Sequence, residues 1–321
     1  YKRQEHTHRV PPHAIRALFY PRSVAFIGAS SQMGKWGHML ICNTISSGYT
    51  GQIYAVNQKG GYIAGRPAFK CIADIPGQVE LAVVTIPAAG VMELIPQLKA
   101  KGVRNMLLIT AGFGETGPAG KKLERQLVDK AREAGLLILG PNTMGICNPH
   151  IDFFCTGTSV RPMAGSTAVV AQSGNMGTQL MAFAEAQGIG VRAFSGSGNE
   201  AMITIEDYME GFEVDELTRT VVGQVRRAEP FVGVATGAHR SQVGGDDAHG
   251  PEQPFGPSRC EEGDPDQEQG DSDQQVAREV GDRLLDLLTL DLRDHRPLQT
   301  VDLERSPRLE HFDADDVGRL C

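Results

Sequence analysis

The stretch Arg22-Ser23-Val24-Ala25-Phe26-Ile27-Gly28-Ala29-Ser30-Ser31-Gln32-Met33-Gly34-Lys35-Trp36-Gly37 decides how the rest of the chain is read. Val24 to Ile27 is a short apolar run of the kind that forms a buried strand. It ends in a turn rich in glycine and serine that leads into a helix beginning near Lys35. Gly28 supplies a backbone that can reverse where a side chain would not fit. The free N–H groups of the helix start, with the hydroxyls of Ser30 and Ser31, offer donors to a phosphate. The spacing from Gly28 to Gly34 is too long for the dinucleotide pattern G-x-G-x-x-G. The turn therefore reads as a phosphate site of another pattern with its ligand open, and a plain strand–turn–helix connection is the alternative.

Outward from this turn, strand and helix alternate. A helix over His13–Phe19 precedes it, and a helix over Gly37–Ser47 follows. Strands are expected over Gln52–Asn57, Leu81–Pro87, Asn105–Thr110 and Leu136–Leu139, with helices over Gly90–Lys101 and Gly120–Ala134 between them. Ala64–Ala68 reads as a turn or short ribbon and Ile72–Pro76 as a brief helix. Short connections in this order predict an α/β fold with a doubly wound parallel sheet over residues 13–150. Ligands on such a sheet lie outside the carboxyl ends of its strands. Ser30, Lys59, Pro87, Thr110 and Asn142 all fall at such ends, so one crevice gathers them.

A second unit opens over 151–220. A strand over Thr167–Gln172 turns at Ser173-Gly174-Asn175 into a helix ending at Ala186. Ser173 is a good helix cap, and Gly174 and Asn175 expose amides at the positive end of the dipole. This is a second candidate anion site, beside the reading of a simple capped helix. A strand over Gly190–Phe194 then leads to Ser195-Gly196-Ser197-Gly198-Asn199-Glu200-Ala201, where Glu200 reads locally as a solvated loop charge. With a helix from Ile205, a flavodoxin-like α/β domain has begun and needs more strands.

A chain of 321 residues suggests two or three domains. The net charge of −8 and the lack of a basic stripe argue against nucleic acid. No apolar run of about 18 residues occurs, so no membrane span is expected. Residues 1–12 are charged, lack the apolar core of a signal peptide and read as a disordered terminus. The six cysteines form no C-x-x-C pair and suit reduced thiols in a cytoplasmic protein. The nine histidines lack ligand spacing, so no metal site is expected. Beyond about residue 221 the composition changes: after Met209 there is no Lys, Ile, Met, Asn or Tyr. Gly244–Gln275 has the composition of disorder, and Asp282–Leu292 carries enough leucine for one short amphipathic helix. The missing residue types share AT-rich codons. Residues 221–321 therefore read as an out-of-frame stretch of a GC-rich gene, with a natural acidic tail as the alternative.

Six stretches stand in order along residues 13 to about 220: Leu18 to Ser30, Tyr54-Ala55-Val56-Asn57-Gln58-Lys59-Gly60-Gly61, Gly112-Phe113-Gly114-Glu115, Leu139 to Gly145, Gln172 to Gly177, and Gly198-Asn199-Glu200-Ala201. On these stretches the chain resembles the NDP-forming acyl-CoA synthetases, the ADP-forming acetate–CoA ligase group related to the succinyl-CoA synthetase α subunit. The resemblance implies a Rossmann-like CoA-binding domain followed by a succinyl-CoA-ligase-like domain, incomplete here. It implies coenzyme A in the first domain, held by Gly28, Ser30, Ser31, Gln32 and Met33 at its phosphates and by Lys59. Ile109 and Thr110 would lie along the pantetheine and thiol end, with Asn142 at the same crevice. The family interconverts acyl-CoA, phosphate and ADP with acid, CoA and ATP through an acyl phosphate and a phosphohistidine. Ser173, Gly174 and Asn175 would then hold phosphate, and Glu200 would support the phosphohistidine.

The family's Ser-His-Thr-Gly-type loop has no match, and His239 and His249 lack its flanking residues. No phosphohistidine is assigned. The ATP-grasp part, with its ATP or ADP and Mg, would have to come from a partner domain or β-type subunit. Two other classes stay open: a CoA-binding regulatory module of a ligase-like or acyltransferase protein, and an NAD(P)-dependent oxidoreductase. The latter needs an acidic residue at the end of the second strand, where Asn57-Gln58-Lys59 stands.

Overall fold

In the computed structural model, which describes residues 10–225 and 288–291, strand β1 (Ser23–Ile27) lies inside a seven-stranded sheet. The others are β2 (Gln52–Val56), β3 (Tyr62–Ile63), β4 (Arg66–Phe69), β5 (Leu81–Val84), β6 (Asn105–Leu108) and β7 (Leu137–Leu139). Their order is β3-β4-β2-β1-β5-β6-β7, parallel throughout except for the β3–β4 hairpin. The chain winds outward from β1 to β2 and then returns to the other side of β1 as β5. That reversal opens a crevice at the carboxyl end of β1.

The unbroken apolar runs follow from burial on both faces. Val24 and Phe26 of β1 and Val83 of β5 enter one core cluster, whereas Ala25, Ile27, Ala82 and Val84 enter the other. Helices α2 (Trp36–Ser46), α3 (Ala88–Lys101) and α4 (Pro118–Ala134) complete this half, whereas α1 (Pro12–Phe19) sets Phe19 against Tyr208 and Phe212 further along the chain. Each matches an expected element to within a few residues.

The second sheet is mixed. It comprises β8 (Gly145–Asn148), β9 (Phe153–Thr156), β10 (Ala164–Ala171), β11 (Val191–Gly196), β12 (Thr220–Gln224) and β13 (Leu288–Asp291), in the order β13-β12-β10-β11-β8-β9. Strands β12, β10 and β11 are parallel, while β8 runs antiparallel to both β11 and β9. Helices α5 (Gly174–Ala186) and α6 (Ile205–Glu213) follow β10 and β11. The β8–β9 hairpin was not expected from the sequence. The helix expected over 282–292 is corrected where the structure describes it: residues 288–291 are a strand, antiparallel to β12. Without β13 the outer edge of β12 would present unpaired N–H and C=O groups, and pairing there outweighs the helical pattern of the leucines. The composition change expected at residue 221 falls inside β12. The rest of the expected tail, residues 226–287 and 292–321, lies outside the described residues, as do residues 1–9.

The two sheets share α2. Nδ2 of Asn43 donates to the carbonyls of Thr156 (2.7 Å) and Thr158 (3.1 Å), and the Thr44 hydroxyl donates to that of Phe154 (3.3 Å). Elsewhere, the buried Arg192 guanidinium holds Asp215 through Nε (2.6 Å) and Nη2 (2.9 Å) and lies 5.3 Å from the centre of the Tyr20 ring.

Candidate functional site

The crevice is built from backbone reversals at the carboxyl ends of the parallel strands. Gly28 has φ +90°, and a methyl group on it would lie 2.7 Å from Oγ1 of Thr85 on the neighbouring strand end. Thr85 uses that hydroxyl to donate to the carbonyls of Ile27 and Gly28, both at 3.2 Å. The turn is thus pinned from the side.

Beyond it, Ser30 is half-buried and its Oγ accepts from the Gln32 amide (3.1 Å). The His38 ring donates to the Ser30 carbonyl through Nδ1 (3.1 Å). Ser31, Gln32 and Met33 are exposed, Met33 to 87%, so its side chain has no packing role. No side chain caps the start of α2, which leaves its first amides and the positive end of its dipole facing this turn.

Lys59 lies next along the same edge. Asn57 places it: its Nδ2 donates to the Ala29 carbonyl (2.7 Å) and its Oδ1 accepts from the Lys59 amide (2.8 Å). One asparagine therefore ties the turn after β2 to the turn after β1, and the Lys59 side chain stays exposed. On the other side, Ile109 is buried in the core, and the Thr110 hydroxyl donates to the Ile86 carbonyl (2.7 Å). Asn142, at φ 57°, donates its amide to the Thr110 carbonyl (3.0 Å). The structure thus lines up Gly28, Ser30, Lys59, Thr110 and Asn142 along one sheet edge. Ile109 could offer only its backbone there.

The second candidate site sits on the other sheet. Ser173 caps α5 through its Oγ, which accepts from the Met176 amide (3.5 Å), and its own amide donates to Oε1 of Gln224 (3.0 Å). Gly174 is half-buried, and a methyl group there would touch Cβ of Met144 at 3.3 Å, while Asn175 is exposed.

Glu200 is not the solvated loop charge that its local sequence suggested. It is half-buried at φ 57°, and its Oε1 accepts from the Ser197 hydroxyl (2.7 Å). Burial pushes its carboxyl above the usual range, and the charge of Glu206 adds to this. Hydrogen bonds from Ser197, Gln172 and the Ile205 amide oppose the shift without cancelling it. The Ser197 amide donates to the Ala171 carbonyl (2.9 Å), so the loop that carries Glu200 lies against the end of β10, which leads into the Ser173 cap. No hydrogen bond among the described residues links this site to the Ser30–Met33 turn.

Three participants escaped the sequence reading as site residues. Asn57 could have been found from its two-residue spacing to Lys59, a pattern in which an Asn side chain accepts from the backbone. Thr85 and Asn199 act across 57 or more residues of sequence, and no local signal marks them.

A coenzyme A moiety fits the first site by its donor chemistry: uncapped helix amides, serine hydroxyls and the exposed Lys59, with an amide side chain where a ribose-binding acid would be needed. Residues 22–149 match the family described as CoA binding domain, and residues 164–242 the family described as succinyl-CoA ligase like flavodoxin domain. Over 213 residues the chain is 40% identical to the α subunit of ADP-forming acetate–CoA ligase I of Pyrococcus furiosus, covering 65% of this chain and 46% of that protein. Over 208 residues it is 35% identical to ADP-forming acetate–CoA ligase I of Archaeoglobus fulgidus, covering 65% and 30%. A solved structure of the dinucleotide-forming acetyl-coenzyme A synthetase 1 of Ca. Korarchaeum cryptofilum, in complex with phosphate and ADP, superposes with a TM-score of 0.64. It is 28% identical, with 68% of this chain and 46% of that one covered. The chain spans less than half the length of these relatives. It carries a CoA-binding domain followed by a succinyl-CoA-ligase-like domain, and it is homologous to the α, CoA-binding portion of ADP-forming acetate–CoA ligases.

Proposed function

We propose that this chain is the CoA-binding, α-type portion of an acid–CoA ligase, working with an ATP-grasp domain or β-type subunit on a small carboxylic acid in the cytoplasm. The overall reaction would convert acyl-CoA, phosphate and ADP into acid, CoA and ATP through an acyl phosphate and a phosphohistidine. The observation that carries this reading is the row of donors along one sheet edge, with Lys59 exposed where a dinucleotide site needs a carboxylate.

In this reading the amides at the start of α2, Ser30, Ser31, Gln32 and Lys59 bind the phosphate groups of CoA. Thr110 and Asn142 shape the path toward its thiol, which supplies the thioester chemistry. Ser173, Gly174 and Asn175 hold phosphate at the start of α5. Glu200, whose carboxyl is raised by burial, stands on the neighbouring loop as the group that would orient an imidazole and accept its proton. The phosphate-accepting histidine is not among the residues assigned.

Calorimetric titration of the whole chain with CoA, with NAD as control, tests the first half. Micromolar CoA binding is expected, weakened about tenfold or more by Lys59→Ala because a charge-assisted contact to phosphate is lost. Heat from NAD, or from neither ligand, would overturn the proposal. CoA binding with no phosphoryl transfer in the presence of an ATP-grasp partner would point instead to a regulatory CoA-binding module.

A further inference from the structure

Asn199 stands on the loop between β11 and α6, one residue before Glu200, and its side chain reaches the other half of the molecule. Its Nδ2 donates to Oε2 of Glu115 and, at 2.8 Å, to Oε2 of Glu124. Its Oδ1 accepts from Nδ2 of Asn142 at 3.3 Å. Both glutamates are engaged on the same turn: Oε1 of Glu115 accepts from the amides of Gly112 and Phe113, and Oε2 of Glu124 from that of Gly114 (3.0 Å). The backbone follows the side chain. The Asn199 amide donates to the Pro141 carbonyl (2.9 Å), and the Ala201 amide to that of Gly140 (3.1 Å).

Two carboxylates this close together repel unless donors stand between them. A primary amide has two N–H groups, one for each acid, and hydrogen bonds to ionised acceptors are the stronger kind. Glu115 bears this out: burial acts against its charge, yet the bonds from Asn199, Gly112 and Phe113 outweigh burial and hold it below the usual carboxylate range. The turn held in this way continues directly from Ile109 and Thr110 at the end of β6, and the amide that holds it adjoins Glu200.

We propose that Asn199 is a positioning residue that couples the Gly112–Glu115 turn of the CoA crevice to the loop carrying Glu200, so that filling the crevice with CoA tightens the Glu200 loop. This rests on the CoA-binding reading above. The coupling is reciprocal, so loosening the Glu200 loop lowers CoA affinity by the same factor.

Hydrogen exchange of the whole chain, free and with CoA, tests it alongside calorimetry. In the wild-type protein CoA protects the amides of both 112–115 and 198–201. With Asn199→Ala, CoA still binds, about fivefold more weakly, and protects 112–115 but not 198–201. The Asn199→Asp side chain cannot donate when ionised, so this variant matches Asn199→Ala at pH 7.5. Its new carboxyl titrates high between two glutamates, and at about pH 5 it carries a proton to donate, restoring protection at 198–201. A merely structural role changes exchange at 198–201 equally with and without CoA, and the Asn199→Asp comparison stands even if Asn199→Ala fails to fold. CoA binding without protection at 198–201, or protection that survives in Asn199→Ala, overturns the coupling and leaves the CoA reading standing. No CoA heat from the wild-type protein overturns both.

Discussion

Gly37, in the first turn of α2, packs directly on the carbonyl oxygen of Gly28 at the end of β1, and there is no room between them for a methyl group. The Thr85 hydroxyl also lies 3.0 Å from where that methyl would be. Both neighbours are fixed, one by backbone and the other by its two hydrogen bonds, so Gly37→Ala must push α2 away from the sheet. Overpacking of this kind costs about 1–3 kcal/mol. Tm should fall by roughly 2–4 °C for each kcal/mol in a domain of this size. Calorimetry should show CoA binding weakened as well, because the amides of α2 move with the helix.

Removing one member of the Arg192–Asp215 pair should cost more. Their side chains are 3% and 11% exposed, and Asp215→Ala strands a buried guanidinium. The expected loss is about 3–5 kcal/mol, read by urea unfolding. Burial raises the Asp215 carboxyl, but hydrogen bonds from Arg192 and Thr218 outweigh it and hold the pKa below its ordinary value of 3.8. A carboxyl depressed on folding adds stability above the unfolded pKa and loses it as pH falls through the lower folded one. The Asp215→Ala penalty should therefore shrink only in strong acid, below about pH 4.

Glu200 has the opposite sign. Its pKa is raised on folding from an ordinary value of 4.5, chiefly by burial. Its contribution is therefore fully present below the unfolded pKa and is lost as pH rises through the folded one. Glu200→Gln keeps the hydrogen-bonding shape without the charge. It should raise Tm at pH 7 and leave it unchanged near pH 4, by differential scanning calorimetry. A Tm gain of equal size at both pH values would refute the assignment.

The thiols should separate by accessibility. Cys147 and Cys155 are buried in the second sheet, and burial pushes Cys147 up to about 12 and Cys155 higher still. Neither presents a thiolate near neutrality. Iodoacetamide at pH 8 should leave both unmodified in the native protein and label them after denaturation, as peptide mass spectrometry would show. Cys71 is half-buried and should react in the native state.

Much of the first sheet was legible because its evidence is local. Val24–Ile27 and Leu81–Val84 are unbroken apolar runs closed by turn residues, and burial on both faces requires that pattern. The β8–β9 hairpin was hidden because Gly145–Asn148 follows Gly140-Pro141-Asn142 so closely that the segment reads as one long turn. Asn148 adds to the disguise: a polar residue within a strand, it is fully buried because Nδ2 donates to the Phe19 carbonyl and Oδ1 accepts from the His150 amide. The local sequence around Glu200 suggests a solvated charge for the same kind of reason, since the bonds it accepts from Ser197, Gln172 and the Ile205 amide form only in the folded loop. The Asn199 bridge joins residues 57 to 84 apart in sequence, a relation that no periodicity encodes.

The register of β8 has a practical corollary for anyone recombining these domains. The CoA-binding match ends at residue 149 and therefore includes β8, yet β8 pairs with β9 and β11 of the second sheet. The inherited unit and the folded unit thus part company over a few residues. A graft joined at 149 would split a strand ladder between two parents. One joined at Gly140 would keep both sheets intact, leaving the contacts of α2 with β9, the Asn199 bridge to Glu115 and Glu124, and the bond from Asn148 to the Phe19 carbonyl as the seam to be matched.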